Sequence, residues 1–183
     1  KFSLIVSPNP TASFSYSPNP PLHNTPINFI NNSTGATSYK WLFGDDDSLV
    51  TNSITASVYH IYNTTKVFNA CLIASNQYNC RDTSCTPISA RVIPLVDVPS
   101  AFTPNGDGKN DIIYIDGFGI AKMNWTIYNR WGTVVFSSTS KTYGWNGTYT
   151  GKPLPQDVYS YVLDIEFTDG SKTQKKGDIT LLR

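Results

Sequence analysis

Oxygen-bearing groups recur at alternate positions in one stretch: Asn105, Asp107, the Lys109 carbonyl and Asp111. Ca²⁺ is held by oxygen ligands of this kind. An EF-hand loop counted from Asn105 needs Gly at its sixth place and Glu at its twelfth, where Asn110 and Asp116 stand. The same side chains can instead cap neighbouring backbone amides in a tight turn. That second reading is preferred, so no cofactor is expected apart from the calcium alternative. Asp45, Asp46 and Asp47 are read in the same way, as a solvated loop before a weak cation site. The only two histidines, His23 and His60, fall in different segments of the first half. No Gly-x-Ser-x-Gly elbow, phosphate loop or metal-ligand spacing occurs, so catalysis is not expected.

Two further groups suit recognition. Arg130-Trp131-Gly132 can place a guanidinium against the indole of Trp131 or Trp145, with Gly132 supplying positive φ. A hairpin corner locked by aromatic packing is favoured there over direct contact with a partner. At the end of the sequence, Ile179, Leu181 and Leu182 read as a final strand, with Lys175, Lys176 and Arg183 around it. An exposed strand edge can accept a partner's strand through backbone hydrogen bonds, and the cations can meet an acidic surface or simply discourage aggregation.

These groups need β-strands to hold them. Tyr39, Trp41 and Phe43 share one parity; so do Phe68, Ala70, Leu72 and Ala74. Ile88, Ala90 and Val92 continue the series. For residues 58–62 the parity leaves open whether Val58, His60 and Tyr62 or Tyr59 and Ile61 face inward. After the turn at residues 102–111, Ile113 and Ile115, then Trp125 and Ile127, then Val134 and Phe136, form apolar faces. Tyr159, Tyr161, Leu163, Ile165 and Phe167 form the clearest face, and Asp169-Gly170 turns the chain back.

Three cysteines leave at least one unpaired within the chain. A three-residue loop at 77–79 sets Asn76 opposite Cys80 and Cys71 opposite Cys85. A Cys71–Cys85 cross-strand disulfide with a buried Cys80 thiol is therefore expected, against the alternative of three reduced cysteines.

The chain has 183 residues, 12 Pro, 12 Gly and 13% aromatics, a composition suited to short strands and turns. A net charge of +1 without a basic face argues against a nucleic-acid partner. Apolar runs are too short for a transmembrane segment, and no basic-then-apolar leader stands at the start. If the protein is exported, its export signal is expected outside this sequence or already removed.

Tyr39-Lys40-Trp41-Leu42-Phe43-Gly44-Asp45-Asp46, His60-Ile61-Tyr62 and the run Val67 to Asn76 resemble a polycystic-kidney-disease-type (PKD) repeat. That resemblance implies an immunoglobulin-like extracellular spacer or adhesion module. Leu42, Asp46 and Lys66 depart from its usual pattern. In the second half, Ala101 to Asp111, Ile127 to Phe136, Trp145-Asn146-Gly147-Thr148, Gly151 to Pro155, Val158 to Tyr161 and Gly177 to Arg183 recur in order. Together they are similar to the gliding-motility-associated C-terminal domain, the type B sorting domain of type IX secretion. Asp157 and Asn146 depart from that family's usual residues. The resemblance implies passage of an attached passenger region across the outer membrane, recognition by translocon or shuttle proteins, and retention at the cell surface. The competing expectation is an adhesin or glycan-binding surface module.

The expected fold is all-β: two tandem immunoglobulin-like antiparallel β-sandwiches, residues 1–96 and 97–183. A short link near Leu95 to Ser100 is expected between them.

Overall fold

The computed structural model describes residues 8–183. The first seven residues of the expected first sandwich lie outside the described residues. The chain divides into two compact units between Val92 and Ile93. Every regular element described is a strand.

In the first unit, β1 (Phe14–Ser17), β2 (Ile27–Asn31), β3 (Ser38–Leu42), β4 (Ser48–Thr51), β5 (Val58–His60), β6 (Lys66–Ser75) and β7 (Arg81–Ala90) follow in order. They make two sheets, β1-β2-β5 and β4-β3-β6-β7. The inward parities of β2, β3 and β6 and the end of β7 carry apolar side chains, so the two sheets close over Ile27, Phe29, Tyr39, Trp41, Phe68, Leu72 and Ile88. Trp41 sets its edge against Phe14 and Phe29, at ring-centroid distances of 5.5 and 5.8 Å. Burial of each such large side chain contributes about 1.5–3 kcal/mol. The open parity at residues 58–62 resolves with Val58, His60 and Tyr62 inside and Tyr59 and Ile61 exposed.

In the second unit, β8 (Leu95–Asp97), β9 (Ala101–Phe102), β10 (Asp116–Phe118), β11 (Ile120–Tyr128), β12 (Val134–Ser138), β13 (Thr148–Tyr149), β14 (Lys152–Pro153), β15 (Asp157–Phe167) and β16 (Lys172–Leu181) follow. One five-stranded sheet, β12-β11-β15-β16-β9, carries Trp125, Ile127, Tyr159, Leu163 and Ile179 on its inner face. The facing layer is assembled from short pieces, the β10-β8 and β13-β14 ribbons and a bridge between Ile113 and Trp145. All pairings are antiparallel except the two-residue β16–β9 contact, Thr180 with Ala101 and Leu181 with Phe102.

Two expectations are corrected. The residues expected to begin a short link, Leu95 to Asp97, form β8 and pair antiparallel with Asp116–Phe118. Val96 turns into the core, and Pro94 and Pro99 flank the strand. In β12 the inward residue is Val135, while Val134 is exposed and Phe136 is half-buried. The pairing runs Ile127 with Phe136 and Tyr128 with Val134, skipping Val135. That extra residue is a β-bulge, and a bulge reverses the parity read from the sequence.

Candidate functional site

Asn129 organises the β11–β12 hairpin. Its Oδ1 accepts from the Trp131 amide at 3.0 Å and the Thr133 amide at 2.9 Å. The Asn129 amide donates to the Thr133 carbonyl at 3.0 Å, and Gly132 donates back to the Asn129 carbonyl at 3.0 Å. Gly132 has φ of 75°, and a Cβ there would meet nothing within 4 Å. Conformation, not space, demands the glycine. Trp131 stands on this braced turn with 83% of its surface exposed, whereas Trp41, Trp125 and Trp145 are fully buried.

Arg130 does not stack on either indole. Its Nε donates to Asp157 Oδ2 at 2.8 Å, and its terminal nitrogen contacts the same oxygen. A carboxylate offers a stronger, charge-assisted bond than a ring face. Trp145 meanwhile is enclosed by Phe102 and Tyr159, at 5.2 and 5.0 Å between ring centroids. The Arg130 bond, followed by the Val158 amide, holds the Asp157 carboxyl below the usual carboxylate range. Asp157 in turn pushes the guanidinium further up.

The strand register gathers several groups at one end of the five-stranded sheet. Tyr128 lies opposite Ser160, and Asp157 lies opposite Leu181. The Trp131 turn, the start of β15 and the residues after β16 therefore share that end. Leu182 is 44% exposed there, and Gln156 Nε2 donates to the Arg183 carbonyl at 3.2 Å.

The remaining residues expected at the final strand do other work. Ile179 and Leu181 are completely buried because odd positions of β16 face the core; they fix the strand and are inaccessible to a partner. Lys175 shares that inward parity, and its Nζ reaches the Val96 carbonyl at 2.6 Å. It ties β16 to β8. Lys176 points to the other face, is exposed, and has no ion-pair partner among the described residues. The edge of the final strand is open over only part of its length. Thr180 donates to the Ser100 carbonyl at 2.8 Å, and Leu182 donates to the Phe102 carbonyl at 3.0 Å. The edge beside β9 is thus covered at one end, while Lys172 to Asp178 pair only with β15.

In the loop after β9, the side chains considered for calcium accept backbone hydrogen bonds. Asp111 takes the amides of Gly106 at 2.6 Å and Gly108 at 2.8 Å. Asp107 takes that of Lys109 at 2.8 Å, and Asn105 takes that of Asp107 at 3.0 Å. The Gly106 and Gly108 amides hold the Asp111 carboxyl below its ordinary range. Among the described residues, no group of three or more His, Cys, Asp or Glu side chains converges on a metal-like site. The geometry fits a capped turn.

In the first unit, Cys71 and Cys85 are paired in register and joined by a disulfide. Cys80 is free, and it is half-buried instead of enclosed. It lies beyond the start of β7, at the hairpin loop, where core parity no longer governs the side chain. His60 stacks on Phe43 at 4.0 Å, and its Nε2 lies 2.7 Å from Asp45 Oδ2. Its Nδ1 is 3.6 Å from Asp47. Two of the three adjacent acids therefore hold a structural histidine.

The end-of-sheet cluster, with its braced and exposed tryptophan, sits in the unit that a family model matches. Residues 96–181 match the CHU_C type IX secretion signal domain. The match spans nearly the whole second unit, and a domain of that kind implies export to the cell surface or extracellular space. No curated protein matches the chain. Among solved structures, one on carbohydrate-binding modules of the β-sandwich superfamily matches at 12% identity, covering 96% of this chain and 93% of that one, with a TM-score of 0.44. The fibronectin(III)-like modules of Clostridium thermocellum CbhA match at 14% identity, with 93% of each chain covered and a TM-score of 0.33. A Ca²⁺-stabilised adhesin of an Antarctic bacterium matches at 11% identity, over 97% of this chain and 49% of that one, with a TM-score of 0.31. Among the described residues no helix is long and apolar enough to cross a membrane.

Proposed function

We propose that the second unit is a sorting domain that carries an attached passenger region through type IX secretion to the cell surface. Its reader is a translocon or shuttle protein of the outer membrane. The first unit, whose motifs resemble a PKD repeat, acts as an immunoglobulin-like spacer. Binding, and not catalysis, is the activity.

The observation that carries this reading is the coincidence of the secretion-signal match, residues 96–181, with a separately cored unit, residues 93–183. The reader engages the end of the sheet that presents Trp131, Leu182 and Arg183. A large exposed aromatic on a rigid turn loses little conformational freedom on binding, and tryptophan is enriched among residues that dominate interface energy. Lys172 to Asp178 offer an accessible strand edge that runs from this end toward the opposite end of the sheet, beyond the part that β9 covers.

Replacing Trp131 with Ala in the full chain, fused behind an exported reporter, tests the assignment. Surface display in a type IX-competent bacterium is expected to fall at least tenfold, while the melting transition of the second unit stays in place. Unchanged display with Trp131→Ala would remove this turn from the recognition surface.

A further inference from the structure

The second unit also carries a cleft of about 420 Å³, within the roughly 300–1,000 Å³ range of small-ligand sites. The bridge between Ile113 and Trp145 builds its wall. Because Ile113 and Ile115 turn into the core, Tyr114 between them faces out. Gly144 lies against this segment so closely that a Cβ would fall 2.3 Å from the Ile113 carbonyl. The close approach brings Tyr143 and Tyr114 to the same opening. Tyr143 is braced by Phe136, with ring centroids 5.5 Å apart and planes 29° from parallel.

The opposite rim comes from the β13–β14 hairpin. Thr150 and Gly151, its two central residues, have φ of 48° and 77°. Positive φ at both positions is the signature of a type I′ turn, which usually takes Asn or Gly. A β-branched residue there is strained, and such strain tends to persist at ligand-clamping positions. The turn fixes Tyr149 on the rim. Tyr114, Tyr143 and Tyr149 are 42%, 63% and 42% exposed, respectively. Thr142, Thr148, Thr150 and Asn146 also line the cleft. Asn146 Oδ1 accepts from the Thr148 amide and hydroxyl, at 3.2 and 2.7 Å, which leaves its Nδ2 donors for a ligand.

We infer that this cleft binds a neutral saccharide. No Asp, Glu, Lys, Arg or His lines it, so nothing there would compensate a charged ligand. A sugar ring presents a C–H face to an aromatic ring and hydroxyls, each both donor and acceptor, around its edge. Aromatic faces interleaved with hydroxyl and amide groups match that distribution. This site is separate from the Trp131 end of the sheet in its lining, so it stands or falls independently of the sorting function.

The test is calorimetric titration of the full chain with cellohexaose, laminarihexaose, mannohexaose and maltohexaose, alongside polygalacturonate and a deca-proline peptide. At least one neutral hexasaccharide is expected to bind. Tyr143→Ala and Tyr149→Ala should each weaken it at least tenfold, and Tyr143→Phe, which keeps the ring, should retain most of the affinity. Tyr78→Ala, an exposed tyrosine of the first unit, should bind as the unaltered chain does. Failure of every neutral hexasaccharide to bind overturns the inference, as does binding of polygalacturonate or deca-proline alone. So does neutral-sugar affinity that survives both alanine changes.

Discussion

Arg130 grips Asp157 across the end of the five-stranded sheet, its Nε 2.8 Å from Oδ2. The contact joins the turn that displays Trp131 to the first residue of β15, so the exposed indole is held by more than its own hairpin. Asp157→Asn removes the charge and should loosen the Trp131 turn while leaving the core intact. Nitrogen relaxation of the Trp131 indole should report greater mobility in that variant. The acid behaviour follows from the depressed carboxyl. A carboxyl whose folded pKa is lowered stabilises the fold above its unfolded value, and loses that contribution as pH falls through the folded value. The unaltered turn should therefore stay rigid through the ordinary aspartate range, about pH 4, and loosen only at a pH below it.

The loop after β9 should show a second acid-sensitive step of the same sign. Asp111 is depressed by the amides of Gly106 and Gly108. Asp111→Ala should speed hydrogen exchange at both amides near neutral pH, and the unaltered chain should reach the same fast exchange only below about pH 4. Equal exchange in the two proteins at pH 7 would show that the carboxylate does not close the loop.

The disulfide restrains the first unit alone. Cys71 and Cys85 are separated by 14 residues. Closing a loop near 15 residues long contributes about 3 kcal/mol through the unfolded chain. Replacing both cysteines with Ala should lower the first unit's stability by about that amount, while the unfolding transition of the second unit is unchanged. Denaturant unfolding followed by domain-specific NMR signals measures both.

Gly117→Ala examines whether Leu95 to Asp97 is built into the second unit. A Cβ at Gly117 would lie 2.5 Å from the Leu95 carbonyl and 2.9 Å from Ile120 Cδ1. Overpacking of this kind costs about 1–3 kcal/mol. The second unit should lose that much stability in thermal unfolding. No loss would mean that β8 can detach at little cost.

The strands with long aromatic or aliphatic alternation were legible in the sequence because one face of each is buried throughout: Tyr39 and Trp41, Phe68 to Ala74, and Tyr159 to Phe167. The three-residue loop at 77–79 placed Cys71 opposite Cys85, the register that the structure has. The β4 strand was not legible, since Leu49 and Val50 are both exposed and no parity distinguishes a core face. The second layer of the second unit escaped for another reason. Its pieces are two or three residues long and are defined by long-range pairing, which leaves no local periodicity. At the candidate site, Trp131 was visible as a residue but its exposure was not. The partner of Arg130 depends on the β11–β15 register, and the inward turn of Lys175 toward Val96 depends on β8 being a strand.

The most direct measurement is the surface-exposed fraction of an inert exported reporter carrying residues 93–183. It should be compared between a bacterium with an active type IX system and an otherwise identical strain lacking its translocon. Protease-accessible reporter outside the active cells, and retention in the periplasm of the deficient ones, is the predicted result. Equal exposure in the two strains, or periplasmic retention in both, would contradict the sorting function.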